Sequence, residues 1–179
     1  QLQNAICSAD AVKVAKALGC SKFINAGSME ETFLDTFLKS RVKQPFRSAQ
    51  TNYGIAKLAS RDMSKMVAYN ERIDYIHTRI SVPLDASLTK GTYINSIIKK
   101  IINKEEYEAP QSMSLFDLVL LEDVAHAYYL IGQKGLNKAD YYIGRGTPAT
   151  LIQHFQRINQ LICGGGDNHN DSVKNSQAQ

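Results

Sequence analysis

Asn52–Pro83 reads NYGIAKLASRDMSKMVAYNERIDYIHTRISVP, and its apolar period changes part-way along. In the first part Ile55, Leu58, Ala59, Met63, Met66 and Val67 fall at the spacing of one helix face. Asn52 is placed to cap that helix, which runs to about Tyr69. From Ile73 to Val82 the chain turns β-branched and aromatic, and Pro83 reads as its stop. Upstream, Lys22–Ala26 reads as a short buried strand ended by Gly27 and Ser28. Strand, helix and strand in this order form the crossover unit of a parallel sheet, so the fold class is α/β.

Working outward, residues 4–18 place Ile6, Ala9, Val12, Val14, Ala15 and Leu18 at near-helical spacing, with Gly19 suited to the exit. Beyond Pro83 the spacing predicts a helix over Tyr93–Asn103, a strand over Leu115–Leu121 and a helix over Glu122–Gly132. A short strand over Asp140–Ile143 and a helix over Thr150–Ile162, capped by Thr150, complete the pattern. Three parts are expected: a parallel-sheet α/β part over residues 1–83, which a likeness to a known family makes half of a Rossmann-like domain, a smaller lobe over 84–162, and a disordered polar tail over 163–179.

Composition narrows the function classes. Hydrophobic content of 44% and charged content of 21% are globular values, so wholesale disorder is excluded. The net charge of +4 comes from lysines and arginines scattered among acids, which is no nucleic-acid footprint. Cys7, Cys20 and Cys163 form neither a Cys-x-x-Cys pair nor a Cys/His cluster, so no metal site is expected. No apolar run approaches the roughly 18 residues of a membrane span, and the first residues are not a basic stretch followed by an apolar one. The expectation is a cytoplasmic protein without a membrane partner. The sequon Asn170-Asp171-Ser172 is assigned no role.

Chemistry enters with Tyr53 and Lys57. Residues four apart on a helix share a face, so a phenol and an ammonium can meet one ligand together. A free phenol has a pKa of about 10 and is a poor base at neutral pH. A fixed cation one turn away stabilises the phenolate and brings proton transfer within range. Ser28 could hold the same substrate oxygen, given a reach of about 3 Å. The same Tyr-x-x-x-Lys spacing also fits an ordinary exposed helix face. Glu30 and Glu31 read on their own as a solvated pair, and His77, His126 and His154 as core or surface residues.

In order along the chain, several segments resemble the extended short-chain dehydrogenase/reductase family that acts on nucleotide sugars. Ala5–Gly19 with Lys22-Phe23-Ile24 is similar to its helix and following strand, and Ala26-Gly27-Ser28 to its serine-bearing strand end. Tyr53 and Lys57 follow at a Ser-to-Tyr separation of 25, as in sugar 4-epimerases. Phe116–Ala125 resembles the strand and Asp-Val-Ala segment, and Tyr142-Ile143-Gly144-Arg145-Gly146 the Asn-Ile-Gly-x-Gly turn.

The resemblance implies hydride transfer at a sugar carbon with NAD or NADP as cofactor and a nucleotide sugar as substrate. It assigns acid/base chemistry to Ser28, Tyr53 and Lys57. It places Tyr53, Lys57 and Val82 on the cofactor, and Ser28, Asn4 and Glu30 on the substrate. Gly-Ser-x-x-Glu is similar to 4-ketoreductases and epimerases, whereas the Asp-Glu pair of the 4,6-dehydratases is replaced by Met29-Glu30. The helix over 53–69 is similar to one that pairs in family homodimers.

Departures accompany the likeness. The family's Gly-x-x-Gly-x-x-Gly turn, which sets the cofactor pyrophosphate on a helix N-terminus, is absent, and the first strands of the sheet are expected to be missing. Val82-Pro83-Leu84-Asp85 replaces Asn-x-Tyr-Gly-Pro, and Phe116 stands where an arginine often grips phosphates. An inactive remnant or a non-catalytic binding module on this scaffold is the alternative, and a related enzyme acting on a non-sugar carbonyl is a third.

Overall fold

A glycine closes the first helix. Gly19 stands at φ +78°, its N–H reaching Lys16 O while Cys20 N reaches Ala15 O, so the last turn of α1 (Leu2–Ala17) ends in a Schellman motif as expected. The computed structural model describes residues 1–40, 51–110 and 113–163. The expectations for the sequon and for the 163–179 tail past Cys163 lie outside the described residues.

Two compact units divide the chain: residues 1–81 with 123–143, and 82–122 with the described residues from 144 onward. In the first, β1 (Lys22–Ser28) leads into α2 (Met29–Lys39), α3 (Thr51–Glu71) leads into β2 (Asp74–Ile80), and α5 (Leu121–Lys134) leads into β6, defined below. The three strands lie in the order β1-β2-β6 and are all parallel. Lys22 faces Asp74 and Ser28 faces Ile80 across β1 and β2. This is the Rossmann-like parallel sheet the sequence predicts.

The second unit holds β3 (Val82–Leu84), α4 (Tyr93–Asn103), β4 (Leu115–Phe116), β5 (Leu118–Leu120), β7 (Ala149–Thr150) and α6 (Leu151–Cys163); β6 is Asp140–Ile143. Here β3 pairs parallel with β5, and β4 antiparallel with β7. Ile97, Ile98 and Ile101 of α4 bury against Leu151 and Phe155 of α6, with Tyr107 edge-on to Phe155. Thr92 caps α4, and Thr150 caps α6 by accepting from Gln153 N. No helix among the described residues is long and apolar enough to cross a membrane.

Helix α4 and strand β6 fall on the predicted boundaries, while other elements correct the reading. Asn52 lies inside α3, not at its cap, because the helix already includes Thr51. Pro83 does not stop a strand; it sits within β3, where a two-stranded ladder can spare one N–H. The expected strand over Leu115–Leu121 is broken at Asp117, whose carbonyl accepts from Val82 N and whose Oδ2 accepts from Gly146 N. Helix α2 is an element the sequence reading did not anticipate.

The apolar stripes also shift. On α3 the buried positions are Gly54, Ala56, Ser60, Ser64 and Ala68, while Ile55, Met63 and Met66 stay 46%, 41% and 60% exposed. On α1 they are Ala5, Ala9 and Val12, while Ile6, Val14 and Leu18 are exposed. These helices pack on each other through small side chains, which permits close backbone approach. Val12 and Ala68 then cluster with Ile73 and Tyr75, and Phe23 stacks on Tyr75 at 6.4 Å.

Tyr75 is also a polar hub: its hydroxyl accepts from Asn25 Nδ2 at 3.1 Å and donates to Arg61 O at 3.1 Å. Burial pushes its phenol well above the ordinary range, only partly offset by the Asn25 hydrogen bond. A raised phenol contributes stability that is whole below the unfolded value and is lost as pH rises above it. Tyr75→Phe should therefore cost about 1–3 kcal/mol in urea unfolding at neutral pH, by stranding Asn25 Nδ2 and the Arg61 carbonyl. The same variant should lose less stability than the parent when pH is raised past about 10.

Candidate active site

At the carboxyl end of β1, Ser28 is the last strand residue and the N-cap of α2, extended at φ −142° and ψ 152°. Its Oγ accepts from Glu30 N at 3.3 Å, and Glu31 Oε1 accepts from Ser28 N at 2.8 Å. The two hydrogen bonds form a capping box, which fixes the serine as it fixes the helix. Glu31 is not the solvated residue expected of a Glu pair: it is 0% exposed, and its Oε2 meets His77 Nε2 at 2.8 Å. Glu30 is partly buried, and desolvation raises its carboxyl above the usual value.

Helix α3 brings the other two residues. Lys57 Nζ donates to Ala26 O at 2.7 Å, two residues before Ser28, and lies 5.8 Å from the centroid of the Tyr53 ring. Buried Gly54 faces the first turn of α2, where a Cβ would stand in ordinary contact, 3.4 Å from Glu30 O and 3.5 Å from Leu34 Cδ2. Arg79 of β2 ties the same region together, pairing with Asp140 through two nitrogens and donating to Thr32 Oγ1 at 2.9 Å. Phenol, ammonium and a capped serine thus gather where a parallel sheet opens its ligand crevice.

A profile of the NAD dependent epimerase/dehydratase family matches residues 2–144. The chain belongs to this family. No curated protein sequence matches it. Among solved structures, UDP-N-acetylglucosamine 4-epimerase from Bacillus cereus is similar at 16% identity and TM-score 0.73, over 90% of this chain and 56% of that one. UDP-glucose 4-epimerase from Thermotoga maritima is similar at 18% identity and TM-score 0.67, over 89% and 53%. dTDP-glucose 4,6-dehydratase from Bacillus anthracis gives 15% and 0.67, over 87% and 50%. At such identities the likeness is one of fold, and the chain spans about half the length of these proteins.

For this member of the epimerase/dehydratase family, two further expected site residues, Asn4 and Val82, have surroundings of their own. Asn4 is exposed in the first turn of α1, and among the described residues no hydrogen bond joins its side chain to Ser28 or Tyr53. Val82 belongs to the second unit, with its N–H given to Asp117 O at 3.1 Å. Glu31 and His77 entered no expected site, although Ser28-x-x-Glu31 is a readable capping-box signature. His77 is buried, as a core reading of it requires.

Two glycines make the packing testable. A Cβ on Gly27 would overlap Glu31 Oε1, the Thr78 carbonyl oxygen and His77 Cε1, none of which has room to retreat. Gly27→Ala should destabilise by roughly 1–3 kcal/mol or more. Gly54→Ala meets only ordinary contacts and gains helix propensity, so its urea midpoint should stay level or rise by the equivalent of up to ~1 kcal/mol.

Proposed function

We propose that this chain carries the acid/base half of an NAD(P)-dependent nucleotide-sugar oxidoreductase of epimerase or ketoreductase type. Tyr53 exchanges a proton with the reacting sugar oxygen, and Ser28 holds that oxygen by hydrogen bond. The observation that carries this reading is the placement of Lys57, fixed to the strand end beside Ser28 and one helical turn from Tyr53. The ammonium and the phenol can thus meet one ligand together, as an acid/base tyrosine with a neighbouring cation requires.

The same ammonium is the basis for a cofactor. An ammonium has three donors, and among the described residues one is spent, on Ala26 O, so others can meet the ribose hydroxyls of a dinucleotide. A bound nicotinamide would accept or return the hydride. The residues here suit that end of the molecule, while the glycine turn that would hold the pyrophosphate is absent from the sequence. By family resemblance Val82 lies toward the cofactor and Asn4 and Glu30 toward the sugar, with residues 84–162 as a substrate lobe. A non-catalytic binding module on the same scaffold is the second reading.

Titrating the 179-residue chain with NADH and with NADPH, read by cofactor fluorescence, should give weak or no binding. Tight binding by this chain alone would overturn the division of the site. When a pyrophosphate-binding segment is joined ahead of Gln1, turnover of a nucleotide sugar should appear, and Tyr53→Phe should lower it by roughly 10²–10⁴-fold. Undiminished turnover in that variant removes Tyr53 from the chemistry. No turnover with any sugar or simple ketone favours the module.

A further inference from the structure

We propose that Glu31 is a positioning residue for Ser28, held in place by one particular tautomer of His77, and that together they present the serine hydroxyl as a hydrogen-bond donor. This rests on the proposed role of Ser28. Its support is a buried chain of polar groups in which each proton is assigned by the one before it.

Assignment starts at a carbonyl. Arg61 O can only accept, so the Tyr75 hydroxyl donates to it at 3.1 Å and spends its one hydrogen. The Tyr75 oxygen therefore accepts its second hydrogen bond, which sets the Asn25 amide with Nδ2 toward Tyr75 at 3.1 Å. That same Nδ2 faces His77 Nδ1 at 3.4 Å, where a ring N–H would oppose an amide N–H. Nδ1 is thus the bare nitrogen, and the ring hydrogen stands on Nε2, donating to Glu31 Oε2 at 2.8 Å. Ser28 N–H fills Oε1 at 2.8 Å, so both oxygens of Glu31 accept, as in a carboxylate.

A fully buried carboxylate is costly unless it is matched on every side. Here it is met by two N–H donors and by the positive end of α2, of which Glu31 is the third residue. Gly27 leaves the carboxylate its room, since a Cβ there would overlap Glu31 Oε1. Ser28 is consequently held by its backbone. Its Oγ accepts from Glu30 N–H, and among the described residues no acceptor takes the hydroxyl hydrogen, which can then be given outward. A serine so placed suits an oxygen that gains negative charge as the sugar carbonyl is reduced.

The test has two arms. On the 179-residue chain, long-range proton–nitrogen correlation of the His77 ring should show the hydrogen on Nε2 and a bare Nδ1, and the Ser28 amide proton should move upfield in Glu31→Gln as a charged acceptor is replaced by a neutral one. A hydrogen on Nδ1, or an unmoved Ser28 amide, overturns the assignment without any measurement of activity. In the joined protein, Glu31→Gln should lower kcat by roughly tenfold to a hundredfold with KM little changed. In a Ser28→Ala background the same change should cost less than about twofold, because the residue through which Glu31 acts is gone. Equal losses in both backgrounds would make Glu31 merely structural. If Tyr53→Phe keeps full turnover, the catalytic reading itself fails, and the resonance arm still decides whether Glu31 holds Ser28.

Discussion

One carboxylate ties three elements together at the edge where the site lies. Glu31 belongs to α2, takes the N–H of the last residue of β1 and receives the ring of His77 from β2. An unmatched carboxylate in that position would be expelled or protonated, so its burial makes the three elements conditional on one another. Gly27 belongs to the same constraint, since any side chain there would occupy the space the carboxylate needs. The polar chain continues through Asn25 to Tyr75 and ends on a carbonyl of α3, so the packing of a fourth element is tied to the same protons.

Lys57 reverses the direction of that dependence. It reaches from α3 to the carbonyl of Ala26 and thereby attaches the tyrosine-bearing turn to the strand end that Glu31 has already fixed. The approach is close because the buried face of α3 is built of Gly54, Ala56, Ser60, Ser64 and Ala68. Small residues contribute little apolar area, and what they supply is proximity: α1 packs on α3, and the first turn of α3 on the first turn of α2. The position of the Tyr53 phenol is therefore a product of backbone distances more than of contacts made by its own ring.

This distinction explains what the sequence disclosed and what it concealed. Strands β1 and β2 and the parallel class were legible because short apolar and β-branched runs on either side of a helical stretch mark a crossover unit. Helix α4 was legible because its isoleucines recur on one face and Thr92 precedes them. The stripes of α1 and α3 misled because a period counted in large apolar residues selects Ile6, Ile55, Met63 and Met66, whereas the packed faces are lined by alanine, serine and glycine. Tyr53, Lys57 and Ser28 stood out by spacing. Glu31 did not, because an acidic residue beside another acid reads as solvated until its partner His77, 46 positions away, is brought to it by the sheet. No local pattern encodes that meeting; it depends on the parallel register of β1 and β2.

The chemistry open to the cluster follows from its proton inventory. Ser28 Oγ accepts from Glu30 N–H, and among the described residues no acceptor takes its hydrogen, an arrangement that suits a donor. Lys57 spends one of its donors on Ala26 O, the one hydrogen bond of its ammonium among the described residues. A fold likeness at 15–18% identity could not have selected among these roles, since shape carries no information about which oxygen has its hydrogen to spare. The proton assignments within the cluster rest on the donors and acceptors themselves, beginning at a single backbone carbonyl at Arg61.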